Sequence, residues 1–164
     1  MRVIAAVLLA SLASASPAHA GEWNRIALPD GIGSISMPCQ AAEVKAGNDN
    51  GKSVLGCGSN GVAYVVIAGG LPSESGVEND YDQALAEARE DRSVTMHERT
   101  LSGRRAFGAE PGDDLTALEI IEVAPGNLML LLFQVERPDV AKLDMIETKK
   151  LSEQFISSVE LTAK

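Results

Sequence analysis

Leu128-Met129-Leu130-Leu131-Leu132-Phe133 is the stretch of this chain that decides its fold. An unbroken apolar run has no polar face, so a strand formed here must be covered on both sides. Pro125-Gly126-Asn127 supplies a turn before it, and residues 115–124 precede that turn as a second strand. The two segments, 115–124 and 128–136, predict the centre of an antiparallel sheet.

Further strands are predicted on both sides of this centre. Residues of high strand propensity recur in short segments, and turn residues such as Asn50-Gly51, Ser59-Asn60-Gly61 and Ser102-Gly103 separate most of them. The opening segments are predicted to form a hairpin around Pro29-Asp30-Gly31. The predicted strands are 23–28, 32–37, 52–57, Val62–Ala68, 94–101 and Arg104–Ala109, and residues 159–162 are either a short edge strand or extended chain.

Two segments have helical periodicity. The first is capped by Asn79 or Asp80, runs to about Arg92 and places on one face Tyr81, Ala84, Leu85 and Ala88. The second lies between residues 139 and 157, with one face formed by Met145, Thr148, Leu151 and Phe155. We therefore expect an α+β fold, an antiparallel sheet of six to seven strands flanked by two helices, in a single domain over residues 21–164.

Residues 1–20 have the layout of a secretory signal peptide. Arg2 precedes an apolar run that is too short to span a bilayer, and Ala18-His19-Ala20 forms a cleavage motif ahead of Gly21. Cleavage is expected between Ala20 and Gly21. The first cysteine is Cys39, so the residue after the cut cannot carry a lipid. The layout predicts a protein of the bacterial periplasm, with full secretion as the alternative, and no membrane anchor after cleavage.

The charge of the chain disfavours two classes of partner. The formal net charge is −9, and loss of Arg2 with the leader makes it one unit more negative. An acidic surface repels nucleic acid and anionic lipid alike. Two adjacent basic pairs, Arg104-Arg105 and Lys149-Lys150, are too small to reverse this and are expected to be solvated.

The two cysteines, Cys39 and Cys57, are predicted to form a structural disulfide. An even number of cysteines in an exported chain favours a bridge. A redox role is the alternative, but redox pairs are typically Cys-x-x-Cys at a helix start, whereas these two lie far apart in strand-like surroundings.

No catalytic or metal-binding motif stands out in the mature sequence. His97 is the only histidine after the leader and is expected on the solvated face of a strand, although a hydrolase using it is the catalytic alternative. The acidic clusters 78–82 and 110–114 suit a helix start and a turn, and the calcium-loop likeness near Asn48 lacks its terminal ligands. We expect no catalytic residue, no metal and no cofactor. The one candidate for partner contact is Trp23, with covering the end of the sheet as its alternative role.

The opening hairpin resembles that of the Mog1/PsbP-like superfamily, particularly its small secreted bacterial members of unassigned function. In the hairpin the residues that carry this resemblance are Trp23, Arg25, Ile26, Leu28, Ile32, Ser34, Ile35, Met37 and Pro38. Later segments follow the same pattern, so that the resemblance covers nearly all of the mature chain: the strand Val62–Ala68 with an acidic helix start after it, the turn Leu101-Ser102-Gly103, the apolar strand 128–133 and the closing Phe155-Ile156-Ser157-Ser158. The resemblance implies a central antiparallel sheet flanked by helices and an accessory or binding role. Characterised members bind a GTPase or photosystem subunits, and no motif for either partner is present here. The expected function is a noncatalytic accessory module that binds an envelope protein; the alternatives are the His97 hydrolase and a small-ligand carrier.

Overall fold

The computed structural model describes residues 22–49, 51–70 and 80–162. The predicted signal peptide with its cleavage site at Ala20 and Gly21, Asn50, residues 71–79 and the final two residues lie outside this part of the chain. The described residues form ten strands and three helices, besides 3-10 turns at Pro29–Gly31 and Ala41–Glu43. The strands are β1 Asn24–Ala27, β2 Gly33–Met37, β3 Lys45–Asp49, β4 Lys52–Ser59, β5 Val62–Ala68, β6 Met96–Leu101, β7 Arg104–Ala109, β8 Thr116–Ala124, β9 Asn127–Val135 and β10 Glu160–Leu161. The helices are α1 Tyr81–Glu90, α2 Pro138–Ala141 and α3 Met145–Ser157.

Seven strands form the main sheet, in the order β3-β4-β5-β9-β8-β7-β6, and every pairing in it is antiparallel. The apolar strands β5 and β9 lie side by side inside it, and β5 is buried along its whole length. The fold is therefore α+β, as the sequence predicts. The apolar run of β9 is covered on both faces because its alternate residues enter two different cores.

Each face of the main sheet is covered by different elements. On one face, Tyr81, Leu85 and Ala88 of α1 pack on Phe107 and Ile120. The other face is covered by α3, whose Phe155 and Ile156 are buried, and by a small sheet of order β1-β2-β10. The face beneath α3 also carries the site described below.

The helix starts follow from their capping residues. The Asp80 side chain accepts a hydrogen bond from the backbone of Gln83 at the start of α1. Asp144 does the same for Glu147 at the start of α3, and the Glu147 carboxylate accepts in return from the Asp144 backbone. No described helix is long and apolar enough to cross a membrane.

Three local features differ from the sequence prediction. The polar strand β3 was not predicted, because its residues are nearly all exposed and show no alternation. The second helical segment is split into α2 and α3 at Lys142, which takes a left-handed backbone conformation. Met145 starts α3 but lies at its exposed end, 36% accessible, whereas Thr148 and Phe155 are buried as predicted.

Candidate functional site

A row of three residues crosses the edge of the main sheet beneath α3. His97 of β6 is paired in register with Gly108 of β7, and Gly108 is paired with Glu119 of β8. Side chains at directly opposed positions point to the same face of a sheet. His97 and Glu119 therefore face each other across a residue that has no side chain.

Gly108 leaves the space that the Glu119 side chain occupies. A Cβ atom built on Gly108 would lie 2.4 Å from Oε2 of Glu119 and 2.3 Å from the carbonyl oxygen of Leu118. Both distances are far below van der Waals contact. Glycine is thus the residue that allows a carboxylate to lie over β7.

The carboxylate of Glu119 is fully buried and carries three hydrogen bonds. Oε1 accepts from Nε of Arg99 at 3.0 Å, and Oε2 accepts from Nη2 of Arg99 at 3.1 Å. Oε2 also contacts Nε2 of His97 at 2.8 Å. A carboxylate held by a guanidinium accepts hydrogen bonds only, so Nε2 of His97 is assigned as the donor. These bonds offset the cost of burying the charge.

Arg99 also joins the sheet to α3. Its Nη1 atom donates to both carboxylate oxygens of Glu153, at 2.7 and 2.9 Å. Partial burial raises the pKa of Glu153, but the hydrogen bonds from Ser157 and Arg99 outweigh that effect and hold the pKa below its ordinary value. Arg99 therefore links a buried and a surface carboxylate.

A second ion pair joins α3 to the chain that follows β7. Nζ of Lys149 donates to Oε2 of Glu110 at 2.6 Å, and this bond lowers the pKa of Glu110. The side chains of both residues are about half exposed. The helix is thus tied to this end of the sheet by two charged contacts, Arg99 with Glu153 and Lys149 with Glu110.

Between these contacts lies a cleft of about 420 Å³. Its apolar lining comes from Ala109, Pro111, Ala117 and Ile156, and its polar lining is His97, Arg99, Glu110, Lys149, Lys150, Ser152 and Glu153. Sites for small ligands typically have volumes of about 300 to 1,000 Å³. We define the cleft by these eleven residues and take it as the candidate site.

Two polar groups of the cleft have no partner in the described part of the chain. The ammonium group of Lys150 makes no hydrogen bond or ion pair there, and neither does Nδ1 of His97. Ser152, in contrast, donates its hydroxyl to the carbonyl oxygen of Lys149. The cleft can therefore bind a ligand through Lys150 and His97 without breaking an existing contact.

The structure brings together residues that the sequence analysis treated separately. His97 is not on a solvated face: its side chain is 29% exposed, lies beneath α3 and is held by Glu119. Lys149 is paired, and Arg105 contacts Asp82, Glu122 and the ring of Tyr81. The prediction failed for His97 because the covering helix is distant in sequence.

Glu119, Arg99 and Gly108 were not identified from the sequence. One signal was present: Glu119 interrupts the inward-facing positions of β8, between Ala117 and Ile121. A charged residue at an inward position of a sheet needs a partner on a neighbouring strand. Locating that partner required the pairing register of β6, β7 and β8.

The other predicted site residues are placed away from the cleft. Cys39 and Cys57 form a disulfide with both residues buried, as predicted. Trp23 is partly buried and packs edge-to-face on Tyr64, with ring centroids 5.8 Å apart. Among the described residues, no group of three His, Cys, Asp or Glu side chains is arranged to hold a metal ion.

Comparison with known proteins found no matching family model, no matching curated protein and no matching solved structure.

Proposed function

We propose that this chain is an exported accessory module of the bacterial periplasm that binds an envelope protein through the cleft beneath α3. The observation that carries the proposal is the cleft itself. It is lined by Lys150, which makes no hydrogen bond or ion pair in the described part of the chain, and by charged side chains that are paired with one another. Because Glu119 holds both His97 and Arg99, the walls of the cleft are positioned before any partner arrives. Such preorganisation lowers the entropic cost of binding.

Two further features support export. Residues 1–20 have the signal-peptide layout, and the Cys39–Cys57 disulfide is typical of an oxidising compartment. We also propose that the chain belongs to the Mog1/PsbP-like superfamily, on the residues of its opening segment that resemble it. Trp23 remains a second proposed contact residue because its ring is not fully buried.

Cross-linking in the periplasm tests this function. The tagged mature protein, a Lys150→Glu variant and a Lys142→Glu control would be expressed, cross-linked and purified, and captured proteins identified by mass spectrometry. Lys142 is also exposed but does not line the cleft. We expect one envelope protein to be enriched with the wild type and the control and depleted with Lys150→Glu. Equal capture by all three proteins, or no enrichment over an unrelated tagged protein, would contradict the proposal.

A catalytic alternative rests on one observation, the contact between His97 and Glu119. When a carboxylate accepts a hydrogen bond from one imidazole nitrogen, the ring is fixed in position and the other nitrogen can act as a general base. Nδ1 of His97 would take a proton from water as the water oxygen attacks an ester carbonyl, and would return it to the departing oxygen as the ester C–O bond breaks. Release of p-nitrophenol from its acetate ester tests this role. An organised site requires a rate that falls in His97→Gln and also falls when the wild type is unfolded in urea. A rate that is unchanged in His97→Gln, or unchanged when the wild type is unfolded, rejects the hydrolase.

A further inference from the structure

Each carboxylate at the cleft already contacts a cation. Glu119 contacts Arg99 and His97, Glu153 contacts Arg99, and Glu110 contacts Lys149. The eleven lining residues have one more cation than carboxylates, and the buried Glu119 beneath them makes the two numbers equal, so any preference for a ligand comes from the groups that make no contact. Among the described residues of the cleft, the charged side chain that makes no hydrogen bond or ion pair is Lys150.

The open hydrogen-bonding capacity also favours an acceptor on the ligand. An ammonium group has three donors, and only one donor of Lys149 is engaged, by Glu110. Lys149 and Lys150, which both line the cleft, therefore have donors that are not engaged. A carboxylate, with two acceptor oxygens and one negative charge, matches them.

The apolar residues of the cleft indicate which kind of group carries the carboxylate. Ala109, Ala117 and Ile156 are buried apolar residues, so the floor of the cleft favours an apolar group. With a volume of about 420 Å³, the cleft has room for a chain end or a few side chains.

We infer that the cleft receives a carboxylate carried on a short apolar segment of the partner protein, with Lys150 as its main contact. This inference rests on the proposed function and names the chemistry by which the partner is recognised. We take the C-terminus of the partner as the source, because a chain end places its carboxylate directly beside an apolar side chain; an Asp or Glu side chain is the contrary outcome of the test. Capture of chain ends and of acidic motifs by donor clusters is an established mode of peptide recognition.

Peptides that differ by a single charge test the inference. The mature protein, labelled with ¹⁵N, would be titrated with acetyl-Ala-Val-Leu as the free acid and as the C-terminal amide, at about 0.15 M salt. The amide signals of Ser152 and Ala109 report on the cleft. A third peptide, acetyl-Ala-Glu-Leu amide, presents the carboxylate on a side chain. We expect the acid to bind about fivefold more tightly than the amide, the size of an exposed ion pair. Binding of this third peptide as tight as that of the free acid would overturn the C-terminus as the source.

Variants of Lys150 locate the contact. In Lys150→Gln the acid should lose about fivefold in affinity while the amide is unaffected, and Lys150→Arg should retain most of the binding. Lys142→Gln is the matched control and should behave as the wild type. Equal binding of acid and amide, or no binding of any peptide at the cleft signals, would overturn the inference. If the cross-linking result still depends on Lys150, such a failure rejects the carboxylate and leaves the proposed function standing.

Discussion

The side chains of His97 and Glu119 meet over Gly108, with Nε2 and Oε2 2.8 Å apart, although the two residues lie on strands that are not neighbours. Adjacent strands are about 4.8 Å apart, so the contact spans the width of two strand spacings. It exists because the intervening position has no side chain. One glycine therefore determines whether the buried carboxylate can be accommodated.

Gly108→Ala is expected to destabilise the protein strongly. The new Cβ would collide with the Leu118 carbonyl oxygen and with Oε2 of Glu119, and displacing either disrupts the sheet or the buried charge. We expect a loss of about 2 kcal/mol or more in the free energy of unfolding, measured in urea. Gly47→Ala is the matched control, since a Cβ there meets nothing within 4 Å. Equal stability of the two variants would show that Gly108 is not a steric requirement.

Glu119→Gln tests the charge without changing the shape of the side chain. The amide removes the negative charge that pairs with Arg99 and places an N–H group where an acceptor is needed. Losing one partner of a buried pair leaves the other uncompensated, and we expect a cost of about 2 kcal/mol or more by urea unfolding. Glu122→Gln, on the same strand but the opposite face, should cost much less because its partner Arg105 is exposed. Similar costs for both variants would contradict a special role for the buried carboxylate.

The sequence was sufficient to predict most strands of the sheet and the main helices, but it was insufficient to predict the site. The apolar run within β9 and the turn residues around it are local sequence patterns. Such patterns are sufficient to predict the α+β class and the opening hairpin, and both predictions were correct. The contacts of Glu119 with His97 and Arg99 depend on the pairing register of β6, β7 and β8. The contact of Arg99 with Glu153 depends on the position of α3 over the sheet. Arg99 and Glu153, for example, are 54 positions apart, and no local pattern relates them. Strand β3 was missed for another reason, because an exposed edge strand needs no apolar residues.

Removal of the disulfide should weaken the protein without changing its fold. Cys39 and Cys57 are buried and lie 18 positions apart, so the bridge restricts the unfolded chain. In the chain-entropy model a loop of this size contributes about 3 kcal/mol. We expect the Cys39→Ala/Cys57→Ala variant to lose about that amount in urea unfolding, with an unchanged far-ultraviolet spectrum. Dithiothreitol should weaken the wild type and leave the variant unaffected. A reductant effect of equal size on both proteins would mean that the bridge is not its target.

Acid should loosen the attachment of α3 to the sheet. Lys149 lowers the pKa of Glu110, and the hydrogen bonds from Ser157 and Arg99 keep the pKa of Glu153 lowered despite partial burial. A lowered carboxyl pKa contributes stability that is fully present above the unfolded value of 4.5 and is lost as the pH falls through the folded value.

The free energy of unfolding of the wild type should therefore fall as the pH drops below about 5, and more steeply than that of the Glu110→Gln/Glu153→Gln variant. Urea unfolding at a series of pH values measures both slopes. Glu160, whose pKa is lowered by Arg25, titrates in both proteins and cancels in the comparison. The variant should already be less stable at pH 7, where the wild type has both ion pairs, and the two proteins should converge in acid. Parallel curves would show that these contacts to α3 contribute nothing to its attachment.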